Sequence, residues 1–234
     1  MKIGIIGTGN MGMTLARHLV RLGHDISIAS PRGRGNLVTL ATDIGAIVAT
    51  VNDAINSAEV VILAIPTKVV GDLPRTLFAN LPSSVVVVDL GNYHPSLRDG
   101  RIDAIEQGLL DSQWVAQQIG HPVIKAFNNI FASSLLENGV PKGTPRRIAL
   151  PVAGDSPGAR ATVLRLVDEL GFDPVDAGEL DNSWRQGTGT PAYCKDLDAA
   201  GLRRALAEAE RSRVAEYRAA EEARIRRSFA AQAS

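Results

Sequence analysis

The sequence has 234 residues, of which 45% are hydrophobic and 21% charged, a composition typical of a soluble globular protein. Its 25 basic and 25 acidic residues give a formal net charge of zero, and only 4% of residues are aromatic, so neither nucleic acid nor a membrane surface is indicated as a partner. The single cysteine excludes a disulfide framework within the chain, and the four histidines lack zinc-ligand spacing, so we expect no metal site.

Strand-like and helix-like segments alternate along most of the chain. Eight apolar runs favour strands: residues 2–6, 25–30, 46–50, 59–66, 84–90, 122–127, 146–154 and 172–178. Helical spacing of apolar residues falls between them: residues 10–23, 36–45, 51–58, 67–81 with a break near Pro74, 109–120, 129–139 and 156–171. The strand runs lack polar alternation, which is typical of parallel strands buried on both faces. We therefore predict an α/β fold, Rossmann-type and doubly wound, with a mostly parallel sheet over residues 1–180.

The last part of the chain, residues 181–234, is predicted to be a C-terminal helical extension. From Leu202 onward Ala, Glu and Arg dominate, which indicates a long helix with one break. One apolar stripe is predicted to comprise Leu202, Leu206, Val214, Tyr217, Ile225 and Phe229. Glu222 and Arg226 are expected to pair on the helix surface. Acids interleave with the arginines, so the helix is expected to pack on its own domain or on a second subunit rather than on nucleic acid.

A glycine-rich turn follows the first strand. Gly7, Gly9 and Gly12 form a G-x-G-x-x-G pattern between a strand and a helix. In a dinucleotide-binding fold these glycines allow a tight turn, close approach to a pyrophosphate and contact between helix and strand. The start of the helix adds amide donors and a partial positive charge. The context predicts a dinucleotide site here.

The end of the second strand distinguishes between two cofactors. An acidic residue about twenty residues past the glycines would bind the ribose of NAD(H), but residues 26–36 contain none. Ser30 is able to donate a hydrogen bond to a 2′-phosphate, and Arg32 and Arg34 add charge. Pro31 stiffens the turn. This combination favours NADP(H); the alternative is that the arginines are only solvated loop charges.

The crevice of such a sheet is bounded by strand ends, here residues 64–68, 89–95 and 125–130. These segments provide the expected walls for nicotinamide and substrate. The polar candidates in them are Asn92, Tyr93, His94, Lys125, Asn128 and Asn129. For each, the alternative is a hydrogen bond that only stabilises a loop.

Several motifs in this order resemble one known family. They are "IGIIGTGNMG", the Ser/Arg phosphate loop, "VVILAIP", "KAFNNI", "PVAGDS" and "FDPVDAGEL". Together they resemble the deazaflavin (coenzyme F420)-dependent NADP oxidoreductases and the related cytoplasmic domain of the STEAP-type metalloreductases, over roughly residues 1–185. The resemblance implies a Rossmann homodimer that binds NADP(H) and passes a hydride to or from a flat ring, F420 or a flavin.

The same resemblance implies roles for individual residues. The pyrophosphate loop corresponds to Thr8, Gly9, Asn10 and Met11, the 2′-phosphate clamp to Ser30 and Arg32, and the nicotinamide shelf to Ile65 and Pro66. Gly7, Gly12, Ala64, Asn92 and Ala126 complete the expected cofactor site. Asn128, Asn129 and His94 are the expected catalytic set, the two asparagines against the second ring. Pro31 and Asn129 depart from the family, which usually has Arg and Thr there, and residues 182–196 differ from its better-known members.

Three functions stay open at this point. Hydride exchange with a deazaflavin or flavin needs no strong acid or base, and alignment of the rings suffices. A reductase of a small carbonyl or imine substrate needs a proton donor, for which His94, Tyr93 and Lys125 are candidates. A non-catalytic NADPH-binding sensor would use the arginine-rich tail as its partner surface. In each case we expect a cytoplasmic protein, because no apolar run reaches the length of a membrane span, about 18 residues.

Overall fold

A computed structural model of the protein describes residues 1–33 and 37–232. Six parallel strands form its central sheet: β1 (Lys2–Ile6), β2 (Asp25–Ala29), β3 (Ile47–Val48), β4 (Val60–Leu63), β5 (Val86–Asp89) and β6 (Val123–Lys125). Their order is β3-β2-β1-β4-β5-β6. The chain therefore builds outward from β1 in both directions, and the order reverses between β1 and β4. A crevice opens at such a reversal, beyond the carboxyl ends of the strands.

Helices cover both faces of this sheet. They are α1 (Asn10–Arg21), α2 (Leu37–Ile44), α3 (Val51–Asn56), α4 (Thr67–Gly71), α5 (Asp103–Glu106), α6 (Asp111–Ile119), α7 (Ala132–Glu137) and α8 (Pro157–Glu169). Alternate residues of β4 enter opposite cores: Ile62 packs in the core with α1 and α8, and Val61 in the core with α3 and α6. Burial on both sides explains why the strand sequences are continuously apolar. The predicted α/β, Rossmann-type fold is confirmed.

The last two predicted strands form but leave the main sheet. β7 (Ala149–Val152) and β8 (Asp173–Asp176) pair in parallel as a two-stranded sheet of their own. β7 meets β6 only through an antiparallel bridge, in which Lys125 N donates to Ala153 O at 2.7 Å and Ala153 N to Lys125 O at 3.0 Å. Because β7 runs against β6, the parallel series ends at β6.

The C-terminal region consists of α9 (Ala199–Glu208), a 3-10 turn (Arg211–Arg213) and α10 (Val214–Gln232), so the tail helix is broken once, as predicted. Leu202 and Leu206 of α9 pack on Val175 of β8. The predicted stripe weakens along α10: Val214 packs on Leu110, Trp184 and Ala209, but Phe229 is 66% exposed. Instead, the buried side chains of α10 are charged. Within residues 1–33 and 37–232, no helix is long and apolar enough to span a membrane.

Candidate cofactor and acceptor site

A cavity of about 620 Å³ lies at the carboxyl ends of the central strands. This volume is in the range of small-molecule and cofactor sites. Its lining combines the glycine loop, the end of β2 and the segments after β4, β5 and β6. The lining includes Gly7, Thr8, Gly9, Asn10, Met11, Ser30, Pro31, Arg32, Ala64, Ile65, Pro66, Leu90, Asn92, His94, Arg98, Phe127, Asn128, Ile130, Phe131, Tyr193 and Cys194.

The glycine loop is formed as a tight turn between β1 and α1. Gly7 has φ +121°, and a Cβ there would lie 2.2 Å from Ala64 O, so only glycine fits. A Cβ on Gly12 would lie 2.1 Å from Gly7 O, so glycine at this position allows α1 to pack directly against the loop. Gly12 therefore shapes the loop from behind and does not line the cavity. The first turn of α1 carries no acidic side chain, so nothing competes with a phosphate for its amides.

The end of β2 continues the cavity wall. Arg32 N donates to Ser30 Oγ at 3.2 Å and Gly33 N donates to Ser30 O at 3.1 Å, which closes a turn over residues 30–33. The Arg32 side chain is exposed and forms no ion pair with the described residues. Its guanidinium is thus available to a ligand. Arg34, the third predicted member of the phosphate clamp, lies outside the described residues.

The charge of the lining is of one sign. Among the described residues no carboxylate lines the cavity, whereas Arg32 and Arg98 do. Arg98 lies on the turn after β5 and donates to Asp99 Oδ2 at 3.0 Å. No sequence pattern marks this arginine as a site residue, because it follows the end of β5 by nine residues. A site with two arginines, a helix N-terminus and no carboxylate fits an anionic, phosphate-bearing cofactor such as NADP(H).

An amide network forms the wall opposite the glycine loop. Asn128, 3% exposed, donates from Nδ2 to Asn92 Oδ1 at 3.1 Å and to the Gln186 carbonyl at 2.8 Å. Gln186 Nε2 donates back to Asn128 Oδ1 at 2.9 Å. Asn92 Nδ2 donates to the Asn128 carbonyl at 2.9 Å. Both polar atoms of the Asn128 amide are thus hydrogen-bonded to other protein groups, which holds the side chain in the cavity wall.

Two predicted site residues lie away from the cavity. Asn129 is 4% exposed, and its Nδ2 contacts Ala192 O at 3.4 Å. Its carbonyl accepts from Cys194 N at 2.9 Å, so Asn129 anchors the loop that carries Cys194. Ala126 is fully buried, in the core beneath the sheet end. Neither is placed to touch a molecule in the cavity.

The structure separates the three candidate proton donors. Lys125 Nζ is buried, where it donates to Asp89 Oδ2 at 3.0 Å and to the Gly91 carbonyl. The Tyr93 hydroxyl accepts from Ile102 N at 2.8 Å, and the ring is fully buried away from the cavity. His94 is the one of the three that lines the cavity.

His94 is 8% exposed, and its surroundings alter its protonation. Burial lowers the pKa of His94 below the ordinary 6.5, and the Arg98 guanidinium lowers it further. The carboxylates of Glu222, Asp99 and Asp111 act in the opposite direction. The net effect favours the neutral imidazole at neutral pH.

Apolar and loop side chains that the sequence patterns did not single out complete the cavity. Phe127, Ile130 and Phe131 follow β6. Their apolar side chains flank Asn128 and Asn129 in the sequence, and this pattern could have predicted an apolar wall. Tyr193 and Cys194 come from a distant loop, and no local pattern marks them. Burial raises the pKa of the Cys194 thiol to about 12. Among the described residues, no group of three or more His, Cys, Asp or Glu side chains is arranged to hold a metal ion.

Comparison with solved structures supports both the fold and a relationship along most of the chain. A structure of hypothetical protein SMa0349 from Sinorhizobium meliloti superposes with a TM-score of 0.73 at 31% identity, covering 84% of this chain and 95% of that one. A putative F420-dependent NADP-reductase from Arthrobacter sp. FB24 gives a TM-score of 0.63 at 22% identity, covering 78% and 87%. At 22% identity, the match to the Arthrobacter protein shows a shared fold alone.

Sequence comparison adds a family. Metalloreductase STEAP3 of Rattus norvegicus is 27% identical over 183 residues, which cover 76% of this chain and 34% of that protein. The chain spans 50% and 34% of the length of two curated relatives that it matches. Residues 2–93 match the family model described as NADP oxidoreductase, coenzyme F420-dependent. The N-terminal part of the chain, with its glycine loop, thus resembles the coenzyme F420-dependent NADP oxidoreductases.

Proposed function

We propose that this protein transfers a hydride between NADP(H) and a flat redox partner, coenzyme F420 or a flavin. The observation that carries the proposal is the composition of the cavity. One continuous lining joins a phosphate-binding loop and a free arginine to a wall of apolar side chains. A polyanionic dinucleotide fits the first part, and a planar ring fits the second.

The glycine loop and the end of β2 would bind the cofactor. Thr8, Asn10 and the first amides of α1 would hold the pyrophosphate. Ser30 and Arg32 would hold the 2′-phosphate, since no carboxylate among the described lining residues repels it. When bound, NADPH supplies a hydride from its nicotinamide ring.

The acceptor side would work by alignment and exclusion of water. Ile65, Leu90 and Phe127 give it an apolar surface, and Phe131, 46% exposed, lies at its rim. The Asn92–Asn128 pair would hold this wall in place, because both amides are hydrogen-bonded within it. Close, dry packing of two flat rings favours hydride transfer without a strong acid or base.

A direct assay tests this proposal. The protein is mixed with NADPH or NADH, then with F420, FMN or FAD, and the absorbance of the nicotinamide and of the ring is followed. We expect NADPH oxidation coupled to reduction of at least one ring. Gly7→Ala should abolish it, whereas Gly158→Ala, with open space around its Cβ, serves as the matched control. NADPH binding without transfer to any ring would refute the proposal and favour a sensor.

A second candidate function is favoured by one observation, the position of His94 in the cavity. In a reductase of a carbonyl or imine, the substrate carbon takes the hydride and its oxygen or nitrogen takes a proton. His94, when protonated, would donate that proton from Nε2 and regain it from water. His94→Gln should then abolish turnover of such substrates while F420 or flavin reduction persists. Equal loss with both substrate classes would count against this second function.

The family resemblance also leads us to propose a homodimer. Light scattering on the eluting peak of a gel-filtration column tests it. We expect a mass about twice the 24.8 kDa of the chain, and a single-chain mass would overturn the proposal.

A further inference from the structure

The buried face of α10 is charged. Glu222 is 4% exposed and Arg218 is 8% exposed, although both lie on a helix whose other side chains are mostly exposed or half-buried. A charge is removed from water at a large cost unless polar partners replace the water. The partners of these two residues therefore indicate what this face of α10 is for.

Those partners all lie in the segments that follow β5. Glu222 Oε1 accepts from Ser96 N at 3.1 Å, and its Oε2 accepts from the Ser96 hydroxyl. Arg226 donates to Ser96 O at 2.9 Å. The Arg218 guanidinium lies over the Tyr93 ring, 4.7 Å from its centroid. The expected Glu222–Arg226 surface pair does not form, because both side chains turn to the segment around Ser96.

Glu222 also faces the cavity histidine. Its Oε1 lies 4.0 Å from His94 Nδ1. That nitrogen is buried and has no hydrogen-bond partner among the described residues. Nε2 is not among the buried unpartnered atoms, and the ring lines the cavity. The two nitrogens thus face different surroundings, a carboxylate on one side and the candidate site on the other.

We propose that Glu222 is a positioning residue for His94: from α10 it directs the Nδ1 side of the ring towards its own carboxylate and leaves Nε2 to the cavity. Carboxylates commonly fix the tautomer and orientation of functional histidines in this way. The inference deepens the second proposed function and rests on it, because only in a carbonyl or imine reductase would His94 supply a proton.

The ionisation of His94 depends on groups from each element packed around it. The charged or titratable groups that face it are Arg98 and Asp99 on the turn after β5, Asp111 of α6, and Glu221 and Glu222 of α10. Of these carboxylates, Glu222 lies within 4.0 Å of the ring nitrogen. Its removal should therefore have a larger effect on the ring than that of a carboxylate elsewhere on the same helix.

Nitrogen NMR of the imidazole ring, recorded without cofactor or acceptor, tests the inference. The His94 signals are assigned by their loss in His94→Gln. In the native protein we expect the neutral ring to carry its proton on Nδ1. In Glu222→Gln the proton should move towards Nε2, and the pKa of His94 should fall because a nearby negative charge is removed. Glu216→Gln, which removes an exposed carboxylate from α10, should change neither.

A second variant guards against misfolding of the first. Ser96 is exposed, so Ser96→Ala should fold, and it removes the hydroxyl that holds Glu222. A smaller shift of the tautomer in the same direction is expected. Unchanged His94 signals in a folded Glu222→Gln protein, or in Ser96→Ala if the former does not fold, would overturn the inference. These signals need no turnover, so a protein that oxidises no NADPH would refute the proposed function separately.

Discussion

The Asn128 side chain and Gln186 exchange two hydrogen bonds. Asn128 Nδ2 donates to the Gln186 carbonyl at 2.8 Å, and Gln186 Nε2 donates to Asn128 Oδ1 at 2.9 Å. The same Nε2 lies 3.4 Å from the carbonyls of Lys125 and Pro151. Gln186 is fully buried, so it ties the loop after β6, the β7 strand and the C-terminal region together at one point.

Replacing Gln186 by Glu should therefore destabilise the protein. The substitution places an oxygen against Asn128 Oδ1 and removes a buried donor, at a cost of about 1–3 kcal/mol or more. The free energy of unfolding in urea measures the effect. Gln117→Glu, an exposed change on α6, should alter stability by less than about 0.5 kcal/mol. Equal stability of the two variants would show that the network contributes nothing.

Cofactor preference should depend on the end of β2. Ser30→Asp combined with Arg32→Ala removes two phosphate partners and adds a charge that repels phosphate, so NADPH affinity should fall more than about tenfold while NADH affinity changes little. Fluorescence titration with each cofactor measures both. Arg75→Ala, an exposed arginine distant from the cavity, controls for the loss of charge. Equal weakening of NADPH and NADH would disprove the phosphate clamp.

His94 should make stability depend on pH. Its folded-state pKa is lowered by burial, so below pH 6.5 the unfolded chain binds more protons than the folded one, and stability falls as pH falls through this range. His94→Gln should flatten that part of the profile. Burial also lowers the pKa of His18, so His18→Gln should remove a separate, additive share. A profile unchanged by His94→Gln would contradict the assignment.

Cys194 should be unreactive although it lines the cavity. Burial raises its pKa to about 12, so at pH 8 the thiolate needed for attack is scarce. A thiol reagent should react more than about a hundredfold faster with the chain unfolded in denaturant than with the native protein. The chain has one cysteine, so Cys194→Ser gives the background rate. A native rate equal to that of the unfolded chain would show an activated thiol.

Much of the fold could be predicted because its signals are local. The eight strand runs all form strands, and α8 begins where its helical pattern begins, with Ser156 as its cap and Ser156 Oγ accepting from Ala159 N at 3.3 Å. The separate β7–β8 sheet could not be predicted this way, since strand order depends on contacts between distant segments. The apolar pattern likewise did not predict which side chains of α10 are buried. These are Arg218 and Glu222, which are held by an ion pair and hydrogen bonds.

The candidate site divides along the same line. The glycine loop and the "SPR" turn lie directly after strands, so their positions in the crevice follow from sequence. Tyr93 and Lys125 also lie at or after strand ends, and yet their side chains lie outside the cavity. Each has a buried partner: the Tyr93 hydroxyl accepts from Ile102 N, and Lys125 Nζ donates to Asp89. Which residue of a strand end turns inward is decided by such pairs. Tyr193 and Cys194 reach the cavity through tertiary folding alone.

The wall of the cavity that we propose for the acceptor is made of connecting segments. Residues 90–98, 127–131 and 193–194 contribute its lining, and none of them belongs to a strand of the central sheet. The hydrogen bonds between β1 and β6 therefore do not restrict which side chains these segments place in the cavity. Substitutions in these loops should alter which acceptor is used while the cofactor half keeps its shape, which makes the scaffold suitable for directed evolution towards new acceptors.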